Sequence, residues 1–575
     1  MNAPFVEPHP LRRLGSSFNI ESSSFPLLLA FYQAPRQRHR WQEPQQHLTH
    51  KQWGDIFFDL FYVAAAYNLG IVLQQDPTTT EILYFLGYFL PLQSLWMLQL
   101  LRDGRFLFAT GTFYESVLST LRFVTVACAV LHIRPSPSSM DLFWFCVAIA
   151  MGLLWHGISC LEIMYCQRYC PQNQLKTNEK EVEQEIVEEE EEVDPKEEED
   201  EIDPPLSHQR VVGLEPAAWD TAVTTLHIIG VPFGLVVAAV IYAGRQKFTN
   251  IRRRLESNEE EEEEEEEDPV VMYLLLASSL WIILYHAVRQ FINDFIFQRD
   301  HKRSVVPINV EYAIHRYGEW IMLMLGETVL SLLIVDPVHH ADYYITFFAG
   351  VLSIIMVEYL HFLSQPHDPD HHALRRNIYG AILHTTTMMF YSASLIVLGA
   401  SYKMLLYELV YEHNDRHGEY HQNTRSVLGT VFFQRTLAGA TSDALDTEDR
   451  QKRIAILFSG SMAIVWICLD ILILAHHGWK DLWATWKVSS SPALVGMAQM
   501  GRWSILIWFL SLPQYVTEPK MLSLLGVIGL LGQIVIQMII YSLCPKNPAH
   551  KEEEEINRVL EYANARLRVI KSNGA

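Results

Sequence analysis

Most marks of a soluble enzyme are missing from this sequence. It has no glycine loop to cradle phosphate, no His-Glu-x-x-His helix and no Gly-x-Ser-x-Gly elbow, which removes the P-loop proteins, the zincin proteases and the α/β-hydrolases from consideration. No basic face interleaved with aromatics occurs, so nucleic acid is not an expected partner. Cysteine is scarce and odd in number: of seven, Cys128, Cys146, Cys160 and Cys468 lie inside apolar runs as small hydrophobes, and no disulfide framework follows. Cys166 and Cys170 end one such run beside Arg168, where inert thiols and S-palmitoylation are both open. There is no Asn-x-Ser/Thr sequon, and the apolar stretch from Phe25 to Tyr32 is too short for a signal peptide and lacks a small-residue cleavage site. The first membrane helix is expected to act as the targeting signal.

Charge is scarce everywhere but in two places. Sixteen acidic residues fall between Glu179 and Asp203 and eleven between Glu256 and Asp268, together 27 of the 66 in the chain. Outside them acids and bases nearly balance, so the net charge of -22 belongs to two linkers and says nothing of partners for the rest. These tracts repel along their length and bury no apolar area, which predicts solvated linkers.

What remains is apolar. A helix needs about 20 mostly apolar residues to cross roughly 30 Å of hydrocarbon, because lipid offers no partner to an open amide. Twelve segments meet that expectation: 55–75, 82–101, 111–133, 141–166, 217–243, 270–298, 316–335, 342–363, 376–402, 453–476, 500–517 and 521–544. The fold class is therefore all-α, a polytopic membrane bundle of about 12 helices whose partner is the lipid bilayer. Short loops rich in Lys and Arg, before the first helix and after the second and sixth, place both termini in the cytoplasm. The basic run Arg245 to Arg254 disagrees with that orientation.

The chain divides into a cytoplasmic segment 1–52, the first membrane helices 53–170, an acidic linker 171–215, a fifth helix 216–243 and a basic-then-acidic linker 244–269. A second membrane region 270–402, a polar extramembrane loop 403–452, the last helices 453–544 and a tail 545–575 with an amphipathic helix complete it.

Two segments carry a resemblance. Trp53-Gly-Asp-Ile-Phe-Phe-Asp59-Leu, opening the first helix, and His315-Arg-Tyr-Gly-Glu319 leading into Leu325-Gly-Glu327 at the seventh, resemble landmarks of the low temperature requirement A family. Tyr359-Leu-His361 followed by Arg375, Arg376 and His384 is similar to a third. An acidic cluster that such proteins often carry after the second helix is replaced here by Asp103-Gly-Arg-Phe-Leu-Phe-Ala-Thr110. The resemblance covers most of 50–402 and implies a multi-pass membrane protein with a stress-related name and no settled activity. A shift of 264 residues superposes Gly54-Asp55 on Gly318-Glu319, an echo compatible with a 6+6 repeat.

Ionisable groups within membrane helices are costly unless paired or watered, so each is a site to examine. Asp55 and Asp59 share one face of the first helix, where one carboxyl could hold a proton, or Asp55 could cap the helix while Asp59 pairs with an arginine. Glu319 stands at the mouth of the seventh helix near Arg316, and Glu327 lies two turns deeper after Gly326, a residue that permits close approach of another helix or a ligand. Glu115, Ser119 and Arg122 form a polar stripe in the third helix that favours an internal ion pair, and Arg289 with Asp294 marks a polar face of the sixth. His227 precedes Gly230, Pro232 and Gly234, a composition that either breaks or kinks the fifth helix. Glu358, His384 and Asp470 complete a set of ion- or substrate-binding candidates that could relay protons. His367-Asp-Pro-Asp-His371-His372 has ligand types for a borderline metal but reads equally as a polar turn, so no metal site is assigned and no cofactor is expected.

The leading expectation is a secondary transporter, proton-coupled, of an unidentified small solute or ion, and not an enzyme. Two alternatives stand beside it. One is a non-transporting protein with a structural or sensory role in low-temperature or stress tolerance. The other is an intramembrane enzyme, for which carboxylates and histidines exist but no recognisable nucleophile-base pair.

Overall fold

A computed structural model describes residues 53–74, 77–107, 113–135, 137–169, 214–256, 269–292, 308–366, 372–376, 378–417, 444–478, 489 and 491–543, together with the backbone of Arg36–Gln37. The acidic linker, the C-terminal tail and most of the N-terminal segment lie outside the described residues.

The helices, in chain order, are α1 (Trp53–Gln74), α2 (Thr79–Arg105), α3 (Phe113–Leu131), α4 (Ser139–Tyr169), α5 (Leu214–Glu256), α6 (Val270–Ile292), α7 (Val310–Leu333), α8 (Ala341–Ser364), the four-residue α9 (Ala373–Arg376), α10 (Ile378–His417), α11 (Ala444–His477), α12 (Pro492–Ser511) and α13 (Pro519–Leu543). The single ladder among the described residues pairs two residues, Arg36–Gln37, antiparallel with Phe106–Leu107 at the end of α2. Local chemistry sets several starts. The Thr78 side chain accepts from the Glu81 amide before α2, and the Asn309 side chain accepts from the Tyr312 amide before α7. Asn309 also donates its own amide to Gly104 O at 2.8 Å, which ties the start of α7 to the end of α2. Pro492 stands at the first turn of α12, where its missing N–H costs nothing.

Eight of these helices, α3, α4, α5, α8, α10, α11, α12 and α13, hold stretches long and apolar enough to cross a membrane. Their outward faces carry large apolar side chains such as Phe348, Ile355, Met497, Ile507, Ile528 and Val535. A surface so apolar suits lipid and not water, and the chain has the make-up of a multi-pass integral membrane protein. Of the other long helices, α1 and α6 offer shorter described apolar stretches, Phe58–Gln74 and Val270–Tyr285. α2 and α7 dilute theirs with charge and amide, at Gln93, Gln99 and Arg102 and at Arg316, Glu319 and Glu327.

Several boundaries differ from those expected. α5 runs on as helix through the basic stretch to Glu256, with Pro232 inside it, so Gly230, Pro232 and Gly234 do not break it. Ser278 of α6 donates to Pro232 O at 3.3 Å. α10 likewise continues to His417, which moves Lys403 from an expected loop into a buried helical position. α12 begins near 492 instead of 500 and ends in a 3-10 turn, Leu512–Gln514, at Pro513.

In the packing, α1 touches α2 and α3, α2 touches α4 and α6, and α3 to α6 pack in succession; α7 touches α8 and α10, α8 touches α11 and α13, and α10 to α13 pack in succession. The two groups meet where α1 lies on α7 and α10, α2 on α7, and α6 on α10. Within the second group, close approach of α10 to α7 depends on Gly399, where a Cβ would stand 3.0 Å from the Thr328 backbone. Gly326, by contrast, has nothing within 4 Å of its would-be Cβ and is not a point of helix contact.

Candidate functional site

At the seam, α1 presents Asp59 to two helices at once. Its carboxylate is buried and accepts three hydrogen bonds: from Trp96 Nε1 of α2 at 3.1 Å, and from Arg316 Nη1 and Nη2 of α7 at 2.8 and 2.9 Å. Arg316 is also buried, and its fork makes the bidentate contact that a carboxylate matches best. One turn on, Glu319 accepts from Arg316 Nη1 at 3.2 Å. Aromatic rings wall the pair in: Trp96 and Trp320 lie 4.5 Å apart, Tyr62 meets Trp320 at 5.3 Å, and Trp96 meets Tyr317 at 5.6 Å.

A cavity of about 580 Å³ opens beside this pair, bounded by α1, α7, α8 and α10 and by the turn before α9. Asp59, Glu319, His361, His372 and His384 supply its polar wall, and Met322 and Met388 are among its apolar lining. His361 stacks on Tyr391, with ring centres 5.4 Å apart. His384 stands edge-on to Tyr317 at 5.2 Å, and neither of its buried ring nitrogens has a hydrogen-bond partner among the described residues. His372, His384 and His476 form a buried cluster whose rings lie 4.5 to 5.3 Å apart.

Farther along α7, Glu327 is also buried. Ser331 donates to its Oε1 at 3.3 Å, while Oε2 is buried with no partner among the described residues. The cation that acts on it is Lys403 of α10, whose ammonium lies over the rings of Tyr67 and Tyr407 at 5.2 and 5.9 Å. A buried carboxylate with an open oxygen and one cation on the neighbouring helix α10 is well suited to take up and release a proton or a cation.

Two further polar centres lie away from the cavity. Glu115 is shared by Arg102, at 3.3 Å, and Arg122, at 3.6 Å, and both guanidinium groups reach Ser159 of α4. Asp470 of α11 pairs with Arg502 of α12, which also donates to Gln533 and Gln537 of α13.

Of the residues singled out in the sequence, Asp59, Glu319 and His384 thus line one cavity, Arg316 joins the two carboxylates, and Glu327 lies on α7 two turns beyond Glu319. Glu115 with Arg122 forms the expected internal pair, and Asp470 belongs to a separate network. His227 points outward and bonds its Nδ1–H to Val223 O at 2.9 Å, away from the cavity. Glu358 is half-buried on α8 and does not line the cavity. Asp55 and Arg289 lie on described helices, but their side chains, like Asp294, His367 and His371 entirely, lie outside the described residues.

Trp96, Lys403, Arg102, Arg502 and His476 were not expected at these centres. Arg102 read as a loop charge and Lys403 as the start of a polar loop, yet each directly follows an apolar run with no turn signal between. That continuity was the available clue. No family model, curated protein or solved structure matches this chain.

Proposed function

We propose that this chain is a twelve-span secondary transporter, proton-coupled and akin to the low temperature requirement A proteins, that carries a small solute or ion through the seam between two six-helix halves. The observation that carries this reading is the cavity of about 580 Å³, walled by α7, α8 and α10 and reached from the first half by Asp59 of α1, with ionisable groups on its wall within a bundle whose outside is apolar. Such groups are retained against a cost of about 2.5 to 3.5 kcal/mol each on insertion scales, which favours a working role.

The twelve-span count rests on where the polar helices sit. α1, α2 and α7 carry charge and amide that lower their apolarity, and Asp59, Gln93, Gln99, Arg102, Arg316 and Glu327 among these groups are buried, so lipid does not meet them. The repeat is supported by the neighbour relations. Replacing α1, α2, α3, α4, α5 and α6 by α7, α8, α10, α11, α12 and α13 in order turns every packing pair of the first half into a packing pair of the second. The polar clusters follow the same rule: Arg102, Arg122 and Ser159 on α2, α3 and α4 match His361, His384 and His476 on α8, α10 and α11. An even number of helices per unit makes the repeat parallel, with its axis along the membrane normal and both termini on one side, which we assign to the cytoplasm.

In this reading Asp59 and Arg316 brace the two halves, and Glu327 carries the proton. The test is flux through the full chain in liposomes loaded with a pH-sensitive dye, across a panel of small solutes. Wild-type protein is expected to couple one solute to proton movement, and Glu327→Gln to abolish that coupling in folded protein. Full coupled flux in Glu327→Gln, or no solute movement by wild type, refutes the proposal, and the latter outcome favours a structural or sensory role.

A further inference from the structure

Three histidines from three separate places in the chain converge beside the cavity, and two of them, His372 and His384, line it. His372 comes from the turn before α9, His384 from the second turn of α10, and His476 from the end of α11. All three are buried, and one nitrogen from each lies within 4.8 Å of the others. We propose that His372, His384 and His476 form a transition-metal site that takes a divalent ion of the zinc type, with a fourth position facing the cavity. This inference stands apart from transport and needs neither flux nor coupling.

Ligand chemistry selects the class of ion. Three neutral imidazoles and no directly clustered carboxylate disfavour calcium and magnesium, which seek oxygen, and suit a borderline ion such as zinc, cobalt or nickel. Zinc binds imidazole nitrogen at about 2.0 to 2.1 Å, so three such nitrogens in a tetrahedron stand about 3.3 Å apart. The present separations therefore close by no more than about 1.5 Å on binding, within reach of ring rotation and a small movement of the turn at His372.

The lone pairs are also accounted for. His476 Nδ1 accepts from the Ala373 amide at 3.0 Å, and His372 Nδ1 accepts from the Leu374 amide at 3.3 Å. Both rings therefore carry their proton on Nε2 and hold the Nδ1 lone pair toward the same turn, so each can exchange a weak backbone bond for a metal bond without losing a proton. His384 brings a neutral ring with neither nitrogen engaged among the described residues. Polar atoms left so in a buried place are uncommon and point to an absent partner. Access is open, because His372 and His384 line the cavity. The carboxylates of Asp59 and Glu319 line the same cavity as His372 and His384.

The full chain, purified in micelles and stripped of metal, is titrated with cobalt and then with zinc. Wild type is expected to bind one cobalt ion with the intense visible band of four-coordinate cobalt, and zinc to displace it. His384→Ala is expected to weaken zinc binding by about 100-fold or more, whereas His339→Ala, at an exposed position, leaves it unchanged. His384→Cys keeps a ligand and should add a sulfur-to-cobalt charge-transfer band. The faint spectrum of six-coordinate cobalt in wild type, no stoichiometric ion, or undiminished affinity in His384→Ala would overturn the assignment. The wild-type spectrum decides the matter even where a variant fails to fold.

Discussion

Replacing Arg316 by Leu removes the countercharge of Asp59 and two of the three hydrogen bonds its carboxylate accepts. Hydrogen bonds to a charged group contribute about 1.5 to 3 kcal/mol each, which puts the loss near 3 to 6 kcal/mol. Breaking a buried ion pair from one side costs about 3 to 5 kcal/mol by direct comparison, so the two routes agree. The double replacement Asp59→Leu with Arg316→Leu removes the stranded charge together with its partner, and buried pairs replaced by apolar residues are often neutral in stability. The assay is a double-mutant cycle on the purified chain, unfolded in mixed micelles by increasing SDS. Arg316→Leu alone should lose about 3 to 5 kcal/mol, and the double variant should recover most of it, leaving a coupling of about 2 kcal/mol or more. A single variant within about 1 kcal/mol of wild type would mean that the carboxylate finds other partners or water, and the brace between α1 and α7 would fall with it.

Two further outcomes can be read by the same method. Gly399→Ala should cost about 1 to 3 kcal/mol, because its Cβ meets the Thr328 backbone at 3.0 Å, whereas Gly326→Ala, with open space around it, should be neutral or stabilising by up to about 1 kcal/mol; equal effects in both would remove the close approach of α7 and α10. Arg502→Leu strips Asp470, Gln533 and Gln537 of their shared donor, and should speed amide exchange in α12 and α13 while leaving α1 to α4 unchanged; uniform exchange across the chain would show that this network does not hold the last helices.

Where the chain is most apolar its sequence was easily read, since eight of the apolar runs fall on helices that are, among the described residues, long and apolar enough to cross a membrane. Their ends were harder. Lys403 and the basic run at the end of α5 read as loops because charge usually marks water, yet helix continues through both. Asp59 and Glu327 each stood out as costly in hydrocarbon, and cost alone indicated that they face inward. That Asp59 pairs with an arginine was one of two readings open in the sequence, and which arginine was not legible; Lys403 beside Glu327 was missed, because its assignment to a loop removed it from consideration. The histidine cluster was illegible for another reason. His372, His384 and His476 are spread over about a hundred residues, and only the folding of α11 back along α10 brings them together.

The Asp59–Arg316 pair also sets an order of events during synthesis. The partners are separated by 257 residues in the chain. At about 5 to 20 residues per second a ribosome needs roughly 13 to 50 seconds to make the second after the first. Throughout that interval α1 holds a carboxylate whose guanidinium does not yet exist, at an insertion cost of about 2.5 to 3.5 kcal/mol if it meets lipid. α2, made next, brings the Trp96 indole that donates to this carboxylate at 3.1 Å before α7 is made. The Asp59–Arg316 contact cannot form before α7 is made, and a chain truncated before Arg316 is expected to be degraded faster than the full chain, however apolar its first six helices are.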